Sequence, residues 1–173
     1  MNISPEEFEK LFAEFQREAF RLETLDDYSG SSDPDNLRAF LAGEPQPMDY
    51  NQGWVDEVRA NVEAGKRMYR VHILARPITD YLRFELGWGY RKNAAAGEEF
   101  FILDVTDRPN PLEGVPDFWM FDETATVSMT YGERGTFLGA QSHADPSEWL
   151  ERRDVALAHA VSFAEWWERY GTG

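Results

Sequence analysis

Asp117-Phe-Trp-Met-Phe-Asp122, then after Glu123 the run Thr124-Ala-Thr-Val-Ser-Met-Thr-Tyr131, reads as two neighbouring strands joined by a tight turn at Asp122 and Glu123. This aromatic, β-branched run marks the centre of a sheet. Past it, Gly132-Glu-Arg-Gly135 makes a hairpin turn and Thr136 to Ser142 returns as the partner strand. Asp145-Pro-Ser-Glu148 then starts a long helix whose apolar positions, from Trp149 to Trp166, run to about Tyr170. Before it, Glu99 to Val105 is a strand, and Thr106 to Pro116, with its prolines, is a loop. Met68 to Ala75 is a further strand, with Tyr69, Val71 and Ile73 on one face and Arg70 and His72 on the other.

The segment from Thr79 to Gly97 supports two readings. Leu82, Phe84, Leu86, Trp88 and Tyr90 alternate with Arg83, Glu85, Gly87 and Gly89, which is a strand signature. Thr79-Asp80 is equally a helix start, and Asn93-Ala-Ala-Ala-Gly97 a helical finish with a glycine cap. The choice matters, because Arg83 and Glu85 share one face of a strand but not of a helix.

Helices come first in the chain. Ser4-Pro-Glu-Glu7 opens one that buries Phe8, Leu11, Phe12 and Phe15; Asp33-Pro34 opens another through Phe40 and Leu41; Trp54 to Val62 is a third. Phe20 to Leu25 alternates apolar and polar residues and reads as a short edge strand. The fold expected is α+β, one domain over 1–173: a central mixed, mainly antiparallel sheet of about five strands, flanked by N-terminal helices and a long C-terminal helix.

With 42% hydrophobic residues, among them 12 Phe, 7 Tyr and 6 Trp, 173 residues supply a sizeable core. The acidic N-terminus and the absence of any long apolar run point to a cytoplasmic protein, neither exported nor membrane-spanning. The lack of cysteine excludes disulfides, thiolate chemistry and cysteine-ligated zinc. A net charge of -15 repels a phosphate backbone, so direct nucleic-acid binding is not expected, while a basic protein partner is favoured. The plainer reading of the acidity is solubility.

His72, His143 and His159 are far apart and none has a partner at metal-ligand spacing, so no metal site is expected. Ser142-His143-Ala144-Asp145 is no triad, because adjacent side chains splay apart; Asp145 reads as a helix cap. Asp117 and Asp122 are conceivable as the acid pair of a hydrolase, but 32 acidic residues make such pairs common by chance. Gly87-Trp-Gly89 lacks the third glycine of a dinucleotide loop, and no cofactor is expected. The residues singled out for binding a ligand or partner are Arg70, His72, Tyr81, Arg83, Glu85, Asp117, Trp119 and Asp122.

Three motifs, Pro77-Ile-Thr-Asp-Tyr-Leu-Arg-Phe-Glu85, Asn93-Ala-Ala-Ala-Gly-Glu98 and Asp117-Phe-Trp-Met-Phe-Asp122, carry a likeness that runs from Phe8 to the Ala164-Glu-Trp166 region. With them the chain resembles an uncharacterised actinobacterial family whose members are typically encoded beside Xre-type, WhiJ-class helix-turn-helix regulators. The resemblance favours helix over 79–97. It implies a regulatory accessory role and a distant relation to sensor domains of phospholipase-D-like shape. The His-x-Lys signature of active phospholipase D enzymes is absent, since Ile73 and Leu74 follow His72.

Two functions are therefore expected. The first is a non-enzymatic accessory protein that binds a basic partner, a helix-turn-helix transcriptional regulator, and masks its DNA-binding surface. The second is a small-ligand sensor with a pocket between the central sheet and segment 79–90, lined by Arg70, Tyr81, Arg83 and Trp119. A homodimer stays open, because periodicity does not separate a docking face on the first or last helix from core.

Overall fold

The computed structural model describes residues 1–171. The aromatic hairpin is β4 (Phe118–Phe121) and β5 (Ala125–Tyr131), paired with Phe118 opposite Ser128 and Phe121 opposite Ala125. Asp122 and Glu123 both adopt left-handed backbone, φ 54° and 60°. They are the central pair of a turn closed by the Thr124 N–H donating to the Phe121 carbonyl (3.1 Å), and left-handed backbone at both positions matches the right-handed twist of the strands. β6 (Phe137–His143) extends the sheet beyond β5.

On the other side of β4 lies β1 (Glu18–Glu23), antiparallel to it. β2 (Arg67–Leu74) runs parallel to β1, and β3 (Glu99–Asp104) parallel to β2. A two-residue strand, β7 (Val161–Ser162), closes the far edge against β3. The order is β6-β5-β4-β1-β2-β3-β7, a mixed sheet of seven strands and not about five.

Parallel neighbours need long crossovers, and helices supply them. Between β1 and β2 lie α2 (Pro34–Leu41) and α3 (Gln52–Glu63). Between β2 and β3 lie α4 (Asp80–Phe84), a π-helical turn (Glu85–Tyr90) and α5 (Arg91–Ala95), which follow one another without a break. The N-terminal α1 (Pro5–Glu14) starts with a reciprocal capping box between Ser4 and Glu7.

One face of the sheet, with Phe20, Leu22, Tyr69, Val71, Phe118 and Met120, packs on Trp149 and Ala156 of α6 (Ser147–His159). The opposite face meets α1 and α3 through Ala19, Met68, Trp119, Phe121 and Val127. Farther along it, Leu74, Phe100 and Ile102 pack with Leu82, Leu86 and Tyr90 and with Phe163 and Trp166 of α7 (Phe163–Tyr170).

Two expectations are corrected and a third is refined. The strand read at Phe20 to Leu25 is β1, and it sits in mid-sheet, not at an edge; Arg21 and Glu23, which looked solvent-facing, are covered by helices. The long C-terminal helix is broken at Ala160, whose extended backbone (φ -96°, ψ 158°) leads into β7, and Ser162 caps α7 by accepting from the Glu165 N–H. Segment 79–97 is helical but widened into a π-turn, and Leu82, Phe84, Leu86, Trp88 and Tyr90 are all buried because sheet and helices enclose it on several sides. Among the described residues no helix is long and apolar enough to cross a membrane.

Candidate functional site

Register places unusual residues side by side in the middle of the sheet. Arg21 of β1 lies beside Arg70 of β2, Glu23 lies beside His72, and Trp119 of β4 is opposite Arg21. Charges taken out of water need partners, and these have them. Arg70 donates from Nη1 to Glu23 Oε1 (2.6 Å) and from Nε to Glu98 Oε2 (2.8 Å). Glu98 Oε1 in turn accepts from the Trp54 indole (2.9 Å). Arg21 Nη2 reaches both Asp117 Oδ2 and the Tyr131 hydroxyl at 3.0 Å. Asp117 also accepts from the Thr24 amide and hydroxyl and from the Tyr28 hydroxyl.

Both guanidiniums lie 5.6 Å from the centre of the Trp119 ring, within cation–π range. Burial pulls the Arg70 proton affinity down, but the Glu98 and Glu23 carboxylates outweigh it and hold the group well above its ordinary range.

Beyond the arginines is a tighter cluster. The Tyr90 hydroxyl donates to Glu23 Oε1 (2.7 Å) and lies 3.0 Å from His72 Nδ1. His72 Nδ1 is also 3.6 Å from Glu23 Oε2 and 3.9 Å from Glu85 Oε2. The other ring nitrogen, Nε2, is 2.8 Å from the Leu25 carbonyl, which only accepts, so Nε2 carries a hydrogen. Glu85 Oε2 is sealed from solvent and has no hydrogen-bond partner among the described residues.

The two carboxyls are driven apart in acidity. Burial, then the charge of Glu23, pushes the Glu85 carboxyl well up. Burial acts on Glu23 in the same sense, but Arg70, His72 and Arg21 overcome it and pull that carboxyl well below its usual range.

A solvent-connected pocket of about 260 Å³ lies over this network, between the sheet and the π-turn. Arg21, Arg70 and Glu85 border it, with Trp54, Trp119, Tyr50, Tyr81 and Tyr90 among its walls. Burial, then the nearby Glu85 charge, pushes the Tyr50 phenol up to about 12. The same two causes, in the same order, hold Tyr81 well above its ordinary range. π-Turns inside helices concentrate at functional sites, and a pocket holding a carboxyl of raised proton affinity is where ligands or chemistry are found. The arrangement can offer a small molecule a carboxyl and phenols for hydrogen bonding and aromatic faces for stacking.

Of the residues singled out from sequence, Arg70, Tyr81, Glu85 and Trp119 meet in this pocket, and His72 lies sealed beneath it. Asp117 is at the far end of the same network, anchoring Arg21. Arg83 is elsewhere. It pairs with Asp80 at 2.8 Å on the outer side of α4 and faces a second pocket of about 430 Å³, bordered also by Phe40, Trp88, Arg91 and Trp167.

Asp122 serves its turn, accepting the backbone N–H groups of Gln16, Arg17 and Glu18 at 2.8, 2.6 and 3.0 Å. Asp117 and Asp122 flank opposite ends of β4, roughly 16 Å apart along an extended chain, so they form no acid pair. His143 contacts Ser128 across β5 and β6 (2.7 Å), while Asp145 accepts the Ser147 N–H at the start of α6 (2.9 Å), so neither joins a triad.

Arg21, Glu23, Tyr28, Tyr50, Tyr90 and Glu98 were not singled out. No motif joins them; strand order brings Arg21 and Glu23 in, and the segments packed over the sheet bring the rest.

A family model described as Domain of unknown function (DUF6879) matches residues 6–168 of the chain. No curated protein matches it.

Proposed function

The chain belongs to the DUF6879 family, and we propose that in this member the domain is a sensor: a non-enzymatic regulatory module that takes a small polar ligand into the pocket beneath the π-turn. The observation that carries this reading is the convergence of Glu85, Tyr50 and Tyr81 over a sealed ionic floor in a solvent-connected hollow. A floor held by Arg70, Glu23 and Glu98 is pre-organised, so little ordering is needed when a ligand enters.

A thermal-shift screen of small polar compounds tests the proposal, because a ligand bound only by the folded chain raises Tm with its concentration. The shift is expected to shrink in Trp119→Ala and in Glu85→Gln. A screen with no hit at millimolar concentrations, or a hit indifferent to both substitutions, contradicts it.

A second reading, a docking module for a basic helix-turn-helix regulator, is favoured by a different observation. An apolar groove of about 540 Å³ runs between α1 and β6, bordered by Phe8, Phe12, Phe137 and Leu138, on a chain of net charge -15. Leu138 is 66% exposed. Calorimetry with a purified regulator of that class at low and moderate salt checks it. Leu138→Glu is expected to abolish binding, and an unchanged affinity in that variant rules the groove out.

A further inference from the structure

Beneath the pocket three acceptors meet, and once Glu85 is ionised there are too few hydrogens for them. The His72 ring is fully buried, and because Nε2–H is given to the Leu25 carbonyl, neutral imidazole leaves Nδ1 as an acceptor. The Tyr90 hydroxyl has one hydrogen for two acceptors, Glu23 Oε1 at 2.7 Å and His72 Nδ1 at 3.0 Å. The shorter contact takes it, so Nδ1 points into the cluster without a donor. Glu85 Oε2 is without one too.

One nitrogen of His72 and one oxygen each of Glu23 and Glu85 lie within 4.8 Å of one another. Among the described residues the carboxyls of Glu23, Glu85, Glu98 and Asp117 face two guanidiniums, Arg21 and Arg70. With all four carboxyls ionised, negative charge exceeds positive by two, which one divalent cation would balance.

We propose that Glu23, His72 and Glu85 bind one divalent transition-metal ion, of the kind that accepts an imidazole and two carboxylates together, such as Zn²⁺ or Mn²⁺. Ligand atoms on a tetrahedral ion with bonds of about 2.1 Å stand roughly 3.4 Å apart. The observed separations from Nδ1, 3.6 and 3.9 Å, need only a small closure, and the longer one belongs to Glu85, whose side chain borders the pocket. The Leu25 carbonyl on the far ring nitrogen fixes the tautomer, the arrangement that orients metal-bound histidines. Glu85 also borders the pocket, so it would link such an ion to a molecule bound there.

The inference deepens the reading of the pocket as a ligand site and rests on it only for what the ion is for. The test uses the full chain stripped with a chelator, titrated calorimetrically with Zn²⁺ or Mn²⁺ alone, with metal content measured after gel filtration. One ion per chain is expected, with a rise in Tm on loading. Glu85→Gln should weaken binding by at least about tenfold while the metal-free variant keeps its fold by circular dichroism. His72→Gln is the second variant; if it does not fold, Glu85→Gln carries the comparison.

No uptake by the unaltered chain overturns the proposal, and so does equal uptake by Glu85→Gln. A chain that binds the ion but no compound in the thermal-shift screen keeps this site and loses the sensor reading. The reverse result loses only the ion.

Discussion

Arg70 is the side chain on which the buried charges turn, because it touches both Glu23 and Glu98. Replacing it with Met leaves two carboxylates facing an apolar neighbour, and removing one partner of a buried pair costs about 3–5 kcal/mol. Urea unfolding of Arg70→Met should show a loss of that order; a loss below about 1 kcal/mol would mean that water reaches the network. Asp104 gives a prediction in pH. Burial alone would raise its pKa, but hydrogen bonds from Thr106, the Trp166 indole and Arg76 outweigh it and bring it down to about 2. Its folded value is thus below the roughly 3.9 of an unfolded Asp, so its stabilisation is complete above about pH 4 and fades as pH falls toward 2. Unfolding of the unaltered chain and of Asp104→Asn, compared across that window, should converge at the acid end; a gap that is constant with pH contradicts the assignment.

Among the elements, the two left-handed residues joining β4 to β5 invite a direct test. Glu123 holds φ 60° with a full side chain, a conformation that costs a non-glycine residue about 1–2 kcal/mol. Glu123→Gly is expected to gain up to about 1 kcal/mol after the extra freedom of its unfolded chain is counted, read from the urea midpoint. At α7 the expectation runs the other way: Ser162→Ala removes the cap and should lose about 1 kcal/mol. That same Ser162, with Glu165 three residues on, is a capping signature visible in the sequence. It was masked by the helical spacing on both sides of it, which made one long helix of two. The hairpin, β2, β3 and the first three helices were legible because their apolar periods agree with their caps and turns. β1 was not, because Arg21 and Glu23 alternate as surface residues do, and only the strand order buries them. The pocket was half legible for the same reason: Arg70, Tyr81, Glu85 and Trp119 lie on segments that read correctly, whereas Arg21 reaches it through a strand pairing that spacing does not encode.

For the molecule as a unit, the net charge of -15 means that the folded surface repels itself. Raising salt from about 10 mM to about 150 mM shortens the screening length from about 30 Å to about 8 Å. Tm should therefore climb over that interval in scanning fluorimetry, and a fall would show that surface attractions dominate. The widened turn Glu85–Tyr90 has a consequence of its own. It lends Gly87 and Trp88 to the hollow beside Arg83, and Glu85, Gly89 and Tyr90 to the one above the sheet. A slip of helical phase by one position would re-aim Glu85, Trp88 and Tyr90 together, so a molecule wedged into one hollow would be felt by the walls of the other.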